Sequence, residues 1–237
     1  MTDPGIYYPD KLSPAQLDTF LAKGWYRMGQ GIFTTNYILQ EGKFYRVYWL
    51  RYNLLTWSMS KTSQKIWNAN KKFTTEIVPL QITEELEELY TLYKASLDFE
   101  PASSVANWLF DQHLSNVYDS WLVEVRDEGR LIAAGIFDKS KKSIAGILNF
   151  YNPSYGKCSP GKYLMLVKIC AAKERKVLWY YPGYIVNGYP KFDYKLFAGK
   201  ENSEIYIPEL NEWRFYDPAL LESFGNIETP EEPGELS

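Results

Sequence analysis

Sulfur and imidazole side chains are scarce in this chain, which has two cysteines, Cys158 and Cys170, and one histidine, His113, in 237 residues. So few ligands argue against a disulfide framework, a histidine- or cysteine-based metal centre and a histidine-dependent catalytic triad. The scarcity therefore predicts a protein without a bound metal, in a reducing, cytoplasmic setting.

Long apolar runs are also missing. No stretch approaches the roughly 20 apolar residues that a helix needs to cross a bilayer. The first residues, MTDPGIYYPDKLSP, have neither the basic segment nor the apolar run of a secretory signal peptide. We therefore expect no signal peptide and no membrane partner.

A strong excess of positive charge is absent as well, since the formal net charge is −3. The charge is uneven, because residues 201–237 carry ten acidic and one basic side chain, which leaves +6 for residues 1–200. This mild basicity suits an anionic partner but is weaker than that of a typical DNA-binding domain, so DNA is not expected. The acidic end, residues 226–237, is predicted to be a disordered tail.

Aromatic side chains are abundant and make up 17% of the chain, with 20 Tyr and 8 Trp. Together with 46% hydrophobic and 23% charged residues, they indicate a globular chain with a substantial core. The densest aromatic stretch is residues 179–197, WYYPGYIVNGYPKFDYKLF, with eight rings, two glycines and two prolines. Tyrosine and tryptophan combine a large apolar area with a polar tip, so this stretch suits the wall of a wet cleft as well as a core.

Hydrophobic periodicity and capping residues predict helices at residues 13–23, 61–73, 83–97, 103–114 and 161–175. Ser13 is the predicted N-cap of the first helix, and Thr62 or Ser63 that of the second. In the last helix, apolar residues from Leu164 to Ala171 form the buried side, and Lys168 is placed on the exposed side.

Runs of β-branched and aromatic residues predict strands in 25–54, three strands across 120–153 joined by hairpins, and a strand at 176–185. Residues 120–186 therefore run strand, strand, strand, helix, strand. This order predicts an α/β (α+β) fold with a mixed sheet flanked by helices and a smaller, β-rich and helical N-terminal region. The predicted division is an N-terminal region, 1–80, and a larger domain, 81–225.

The order of these elements is that of the N-acetyltransferase-like (GNAT) core, which many α+β folds contain. Four segments are more specific, namely GRLIAAGIFD (129–138), NFYNPSY (149–155), SPGKYLMLVKICAAKE (159–174) and WYYPGYIVNGYPKFDYK (179–195). In this order and spacing they resemble the C-terminal domain of arginyl-tRNA–protein transferases and their bacterial leucyl-transferring relatives. GWYRMGQGIF (24–33) and SQKIWNANKKF (63–73) are similar to N-terminal motifs of the same family.

Some positions depart from the family pattern. The family commonly has a cysteine cluster in the segment that corresponds to residues 41–54, which has no cysteine here, so the iron or regulatory metal described for the family is not expected. Tyr189 stands in place of a family cysteine, Asn152 in place of an aspartate, and PGYI (182–185) in place of Leu-Gly-Tyr-Tyr. These changes leave open which amino acid would be transferred and whether activity is retained.

The resemblance implies transfer of an amino acid, arginine or leucine, from tRNA to the N-terminal amine of a protein that begins with Asp or Glu, which marks that protein for N-end rule degradation. The implied partners are the acceptor end of aminoacyl-tRNA and the N-termini of protein substrates. Such a transfer needs no cofactor, only a deprotonated amine, an oxyanion stabiliser and positioning. In a GNAT-like core, backbone N–H groups exposed where two parallel strands separate would hold the ester carbonyl. We expect this separation between residues 146–151 and 177–182.

The predicted catalytic residues are Lys191, Tyr194 and Lys195, which follow the second of these strands, and Asp138. Each lysine would bind an acidic N-terminal residue or a tRNA phosphate, or is an ordinary solvated lysine. Tyr194 would donate a hydrogen bond to the developing oxyanion, or is a packed ring. Asp138 and Glu174 are the carboxylates available to accept a proton from the attacking amine, although a structural role explains each of them too.

Aromatic rings near the strand break would stack on the terminal adenine or the aminoacyl side chain, or are packed in the core. The predicted substrate-binding residues are Tyr180, Tyr181, Gly183, Tyr184, Asn149 and Tyr151. Basic and amide side chains of the N-terminal motifs would contact the acceptor end of tRNA, or form a solvated helix face. The predicted tRNA-binding residues are Arg51, Lys65, Asn70 and Lys71.

Two other functions fit the same fold. A coenzyme A-dependent N-acetyltransferase would bind pyrophosphate at the helix start SPGKY (159–163), but this loop has one glycine, Gly161, where those enzymes have a glycine-rich run. A non-catalytic relative of the transferases would bind tRNA or a protein N-terminus without turnover, and the altered positions at Pro182 and Tyr189 favour it.

Overall fold

A nine-stranded mixed sheet forms the centre of the fold in this computed structural model, which describes residues 4–111, 113 and 115–224. The predicted tail, 226–237, lies outside these residues. The strands are β1 (Gly5–Tyr7), β2 (Tyr26–Met28), β3 (Gly31–Thr34), β4 (Tyr37–Gln40), β5 (Lys43–Asn53), β6 (Thr74–Pro79), β7 (Asp119–Asp127), β8 (Arg130–Lys139), β9 (Ser143–Tyr151), β10 (Trp179–Val186), β11 (Ser203–Ile207) and β12 (Glu212–Phe215). The α-helices are α1 (Pro14–Ala22), α2 (Lys61–Asn70), α3 (Glu84–Lys94), α4 (Val105–Phe110), α5 (Pro160–Glu174) and α6 (Pro218–Ser223). Short 3-10 helices cover Pro153–Cys158, Pro190–Leu196 and Lys200–Asn202.

The large sheet has the strand order β12-β11-β5-β10-β9-β8-β7-β6, with β4 paired to β5, while β1, β3 and β2 form a separate three-stranded sheet. β7, β8 and β9 follow one another as antiparallel neighbours. α5 then crosses back, so that β10 pairs with β9 in parallel and with β5 antiparallel. The predicted order of three strands, a helix and a returning strand is confirmed. The fold class is therefore α/β, a mixed sheet flanked by helices in the element order predicted for a GNAT-like core.

Capping chemistry sets the helix starts. Ser13 caps α1 in a reciprocal capping box with Gln16, as the sequence predicts for a serine followed by proline. The predicted cap of α2 is wrong, because Ser60 holds the extended conformation and its hydroxyl accepts from the Ser63 N–H. α4 ends earlier than predicted, because Asp111 adopts a left-handed conformation with φ 40°.

Helices and loops cover both faces of the large sheet. α5 packs on one face, where Leu164 and Ile169 share a core with Tyr180. On the other face, α3 places Tyr90 edge-on against Phe150 of β9, at 5.3 Å between ring centroids. Arg27 and Gln30, from the small N-terminal sheet and its turn, donate to the carbonyl of Leu109 in α4, and the same sheet carries Tyr26 onto the large sheet. Buried apolar area on both faces is the main stabilising contribution to such a layered fold.

Residue 80, the predicted boundary between two regions, does not separate two sheets. β5 comes from the N-terminal side, yet it lies between β10 and β11. Its Leu50 pairs with Gly183 on one side and with Ile205 on the other. One sheet therefore contains strands from both sides of residue 80, and the division into 1–80 and 81–225 stays a prediction.

Across the part of the chain that the structure describes, no helix has both the length and the apolar character that crossing a membrane requires.

Candidate active site

Strands β9 and β10 separate soon after they begin, and this separation creates the candidate site. They are paired only at Trp179 with Ser143, Tyr180 with Ile144 and Tyr181 with Ala145. Beyond these pairs, the facing edges of the two strands have no strand partner across the gap. We call this gap the opening. It begins beyond Ala145 and Tyr181, within the region where the sequence places it.

The break in β10 follows from two residues that tolerate or require irregular backbone. Pro182 has no N–H to give to a ladder, and Gly183 has φ 100°, a conformation that residues with a side chain rarely adopt. The pairing with β5 shifts register between Tyr180 and Gly183 as a consequence. The sequence motif Pro182-Gly183 therefore redirects β10 at the point where the opening starts.

Two tyrosines fill the narrow end of the opening. Tyr26 of β2 donates its hydroxyl to the carbonyl of Gly146 on β9 and lies 3.2 Å from the carbonyl of Tyr181 on β10. Tyr180 places its hydroxyl against Gly146, where a Cβ would clash with it. Burial raises the pKa of both tyrosines, so both hydroxyls stay protonated at neutral pH. Sequence reasoning missed Tyr26, which it treated only as a strand residue.

The 3-10 helix Pro190–Leu196, which we call the return helix, folds back over β10 at the opening. Its Lys195 donates to the carbonyl of Tyr184 at 2.7 Å. The ammonium also lies where a Cβ on Gly183 would be 3.5 Å away, so glycine at this position leaves it room. Rings of Tyr184, Phe192 and Tyr194 surround it, with centroids 4.9, 4.8 and 5.6 Å from Nζ.

Lys195 has no carboxylate partner among the described residues, although its amine is largely enclosed. Desolvation lowers the pKa of this lysine to about 7, because the charged form loses water without gaining a counterion. A cation in this state attracts an anion that arrives at the opening. The site therefore offers a positive charge without a counterion beside strand edges that do not pair with each other.

The other two predicted catalytic residues of the return helix are more exposed than Lys195. Lys191 is exposed, with Nζ 3.4 Å from Asp98 and 4.6 Å from the ring centroid of Phe99. Tyr194 is 55% exposed, and desolvation of its hydroxyl raises its pKa to about 12. The return helix thus brings Lys195 and Tyr194 to the opening, whereas Lys191 marks its outer edge.

The predicted substrate-binding rings are mostly packed in the core. Tyr180 and Tyr181 are 2% and 3% exposed and belong to the cores on opposite faces of the sheet, so neither offers a face to a ligand. Tyr184 is half-buried against Trp49. Tyr151 is also half-buried. Its ring centroid lies 5.3 Å from that of Tyr93 in α3, a residue that was not predicted to belong to the site.

Asn149 lies on β9 beside the opening and is held by two hydrogen bonds. Its Oδ1 accepts from Lys168 of α5 at 2.7 Å, and its Nδ2 donates to the carbonyl of Gly161 at 3.3 Å. The predicted exposure of Lys168 is wrong, because its side chain is 1% exposed. The rule that lysines are solvated fails here because a strand amide and a backbone carbonyl receive the ammonium.

Asp138 is buried and already paired. Its Oδ1 lies 2.9 Å from Nη1 of Arg27 and accepts from Ser120 at 2.6 Å, and both ion-pair side chains are 1% exposed. Burial raises the pKa of this carboxyl, and the Arg27 charge opposes the rise. This burial corrects the expectation that an attacking amine can reach Asp138 as a proton acceptor. The carboxylate instead links the N-terminal sheet to β8 through its ion pair with Arg27. Glu174 is exposed at the far end of α5 from Gly161.

Two of the four predicted tRNA contacts are not on the surface. Arg51 makes two hydrogen bonds to Glu204, at 2.7 and 2.5 Å, and its guanidinium lies between Trp179 and Trp213 at 3.7 and 4.3 Å. Asn70 is 1% exposed, and its Nδ2 donates to the carbonyls of Ile66 and Cys158. Both side chains are committed to the fold, which corrects the expectation that they face a nucleic acid.

Lys65 and Lys71 are exposed, as a nucleic-acid contact requires. They belong to a segment, residues 43–75, that contains no acidic residue. A second acid-free segment, 139–173, lies beside it, since α2 contacts α5 and the loop before it. Lys157 and Lys162 of that second segment are exposed as well. Lys65, Lys71, Lys157 and Lys162 form the basic surface, which the two acid-free segments provide where α2 meets α5.

The comparison with protein families decides the relationship. Residues 85–201 match the family model described as arginine-tRNA-protein transferase, C terminus. Over these residues the chain is similar to this family. The matched residues contain β9, α5, β10 and the return helix, so they hold both edges of the opening and Lys195.

Curated relatives of the family carry two kinds of name. An aspartate/glutamate leucyltransferase of Paramagnetospirillum magneticum is 28% identical over 140 residues, which cover 57% of this chain and 57% of that protein. One of Leptospira interrogans is 23% identical over 216 residues, covering 87% and 80%. An arginyl-tRNA–protein transferase 1 of Arabidopsis thaliana is 28% identical over 151 residues, covering 54% of this chain and 24% of the plant protein.

The matched part therefore spans less than two thirds of the first of these relatives. Among solved structures, that of FemX has a TM-score of 0.49 at 11% identity and covers 88% of this chain and 70% of that chain. Within the described ranges, no three His, Cys, Asp or Glu side chains form a group that could hold a metal ion.

Proposed function

We propose that this protein transfers an amino acid from an aminoacyl-tRNA to the N-terminal amine of a protein. The observation that carries the proposal is the opening between β9 and β10, with the ammonium of Lys195 beside it and without a counterion, inside the segment that matches the transferase family. The names of the relatives support this reaction class, since they are leucyl- and arginyl-transferring enzymes.

The reaction joins an amine to an activated ester, and its groups map onto the site as follows. The attacking α-amine must be deprotonated, and it adds to the ester carbonyl with transient negative charge on the carbonyl oxygen. Backbone N–H groups at the free edges of β9 and β10, with the hydroxyl of Tyr194, would stabilise that charge. The bond between the carbonyl carbon and the 3′ oxygen of tRNA then breaks, the proton that the amine loses passes to that oxygen, and the amide bond remains.

Lys195 gives the site a means of choosing the acceptor protein. We propose that it binds the side chain of an N-terminal Asp or Glu, because it is a cation without a counterion and is enclosed by rings that exclude water. The transferred residue would be arginine or leucine, the modified protein would be directed to N-end rule degradation, and the reaction would take place in the cytoplasm, where charged tRNA is available.

Lysines of the basic surface would hold the acceptor end of tRNA. Lys65 and Lys71 on the α2 side, with Lys157 and Lys162 at the start of α5, are exposed and lie in acid-free segments. Phosphate contacts of this kind supply most of the affinity for nucleic acid and make it dependent on salt. Binding at α5 would bring the 3′ end toward Gly161 and the opening.

A transfer assay tests the proposal directly. Purified protein is incubated with tRNA charged with radiolabelled Arg or Leu and with peptides that begin with Asp, Glu, Asn or Ala. We expect label in the Asp or Glu peptides from one of the two tRNAs, and loss of that label in Lys195→Met but not in Lys191→Met. Binding of charged tRNA without any transfer would replace this proposal with a non-catalytic binding function, which the change at Tyr189 favours. Tyr189 packs against Tyr45 where the family has a cysteine.

A further inference from the structure

Lys168 is a buried lysine that the proposed reaction does not use. Its ammonium donates to the carbonyl of Ile136 at 2.9 Å and to Oδ1 of Asn149 at 2.7 Å. Burying an ammonium removes it from water, and its pKa falls to about 7 as a result. The charge of Asp138 opposes this fall in the pKa of Lys168, but Asp138 already forms an ion pair with Arg27. Its two hydrogen bonds offset part of the cost of burying the ammonium.

The carbonyl that receives Lys168 belongs to an irregular part of the sheet. Phe137 pairs with Gly146 and Ile136 pairs with Leu148, so Ile147 of β9 is an extra residue without a partner on β8. Such a bulge interrupts the ladder and bends the strand that carries it. Lys168 therefore satisfies a carbonyl at the bulge itself.

The bulge also lies where the opening starts. The last residue of β9 that pairs with β10 is Ala145, and the bulged residue is Ile147. A bend at this point directs β9 away from β10. The hydrogen bond from Lys168 to Ile136 thus stabilises the local geometry that separates the two strands.

The second bond of Lys168 fixes the next part of β9. An ammonium can only donate hydrogen bonds, so Oδ1 of Asn149 must face Lys168 and Nδ2 must point away from it. Nδ2 donates to the carbonyl of Gly161 in the first turn of α5. Gly135 provides the space, because a Cβ there would lie 3.0 Å from both Cε of Lys168 and Oδ1 of Asn149.

We infer that Lys168 is a positioning residue, whose buried ammonium holds β9 in its bent course and keeps the opening apart. It acts through the carbonyl of Ile136 and the amide of Asn149, and it does not touch substrate. The structural part of this inference stands on the hydrogen bonds and the bulge alone. Its effect on turnover rests on the proposed aminoacyl transfer.

The chain offers a matched control on the same helix. Lys173 also donates to two backbone carbonyls, those of Leu54 and Trp57, at 3.1 and 2.7 Å, and neither partner is on β9. Lys168→Met and Lys173→Met each remove an ammonium that stabilises backbone groups. Only Lys168→Met removes one that stabilises the bulge.

The experiment measures backbone amide exchange by mass spectrometry together with aminoacyl transfer. In Lys168→Met we expect exchange in residues 146–151 to rise about tenfold relative to the rest of the sheet. We expect kcat for transfer to fall about tenfold to a hundredfold, because misplaced strand edges no longer fit the reacting carbonyl, with KM for the peptide little changed. Lys173→Met should leave both quantities as in the wild type, whatever its loss of stability.

Gly135→Ala is the second variant, in case Lys168→Met does not fold. It keeps the lysine but pushes on Lys168 and Asn149, so it should raise the same exchange and lower kcat. Wild-type exchange in residues 146–151 of a folded Lys168→Met variant, or equal effects of Lys168→Met and Lys173→Met, would overturn the inference. If the wild type performs no transfer, the proposed function fails while the exchange result still decides the role of Lys168.

Discussion

Arg27 of β2 and Asp138 of β8 form an ion pair at 2.9 Å with both side chains buried. Leu109 adds a carbonyl that accepts from the same guanidinium, and Tyr118 lies beneath it at 4.3 Å. The pair joins the small N-terminal sheet to the large one. Its position makes each partner necessary to the other, because an unpaired charge would remain buried.

Replacing one partner should therefore destabilise the protein strongly. For Asp138→Asn we expect the free energy of unfolding to fall by about 3–5 kcal/mol, measured by urea denaturation, since Arg27 keeps its charge without a counterion. Glu85→Gln is the control, because its pair with Arg126 is partly exposed and should be worth under about 1 kcal/mol. If folded Asp138→Asn has normal stability but no transfer activity, Asp138 is the proton acceptor after all.

Recognition of an acidic N-terminus should depend on pH through Lys195. Its pKa is about 7, so the ammonium is present below this pH and is lost above it. We expect the ratio of kcat/KM for an Asp peptide to that for an Asn peptide to fall as the pH rises from 6 to 8.5. Using the ratio cancels the titration of the attacking amine, which is common to both peptides.

In Lys195→Met the same ratio should be low at every pH, and in Lys191→Met it should follow the wild type. A ratio that is independent of pH in the wild type would mean that Lys195 does not bind the acidic side chain.

Lys168 should make the free energy of unfolding depend on pH. Its pKa is about 7 in the folded state and near 10.4 in the unfolded chain, so between these values the unfolded chain binds the extra proton. Stability should therefore rise with pH, by up to about 1.4 kcal/mol per unit for this one group. Urea denaturation between pH 7.5 and 9.5 should show a shallower rise for Lys168→Met. An unchanged slope would mean that the lysine is solvated.

Affinity for tRNA should depend on the exposed lysines Lys65 and Lys71, whereas Arg51 should matter for stability. We expect Lys65→Glu with Lys71→Glu to weaken binding and to reduce the slope of log affinity against log salt, by about 0.9 for each phosphate that is no longer bound. Lys141→Glu with Lys142→Glu, in the hairpin between β8 and β9, is the control of equal charge. Arg51→Met should instead lower stability by about 3 kcal/mol, because Glu204 would be left without its cation. Filter binding over a range of salt concentrations measures the tRNA affinity of the lysine variants, and urea denaturation measures the stability of Arg51→Met.

Local patterns predicted the elements that frame the opening, and distant contacts decided the rest. β7, β8, β9, α5 and β10 follow from periodicity and turn residues, and Pro182-Gly183 indicates the break in β10 from its chemistry alone. Lys195 was predicted from the family motif. Its enclosure by rings was not, because the return helix has to be folded before those contacts exist.

The errors share one physical cause. The partners that decide these positions are far apart in the sequence. Arg51 and Glu204 are separated by 153 positions, Tyr26 and Gly146 by 120, and Lys168 and Ile136 by 32. Average exposure of a residue type carries no information about such partners. A charged residue inside an apolar helix face, such as Lys168 in LMLVKIC, is the signal that could have indicated a buried site.

The position of β5 has a consequence for how the chain reaches this fold. β5 is synthesised early, but its neighbours β10 and β11 follow more than a hundred residues later. During translation its apolar residues, such as Leu50, must wait for Gly183 and Ile205, so the sheet closes only when most of the chain has left the ribosome. Pairing over such a long sequence separation raises the contact order, and a high contact order slows folding.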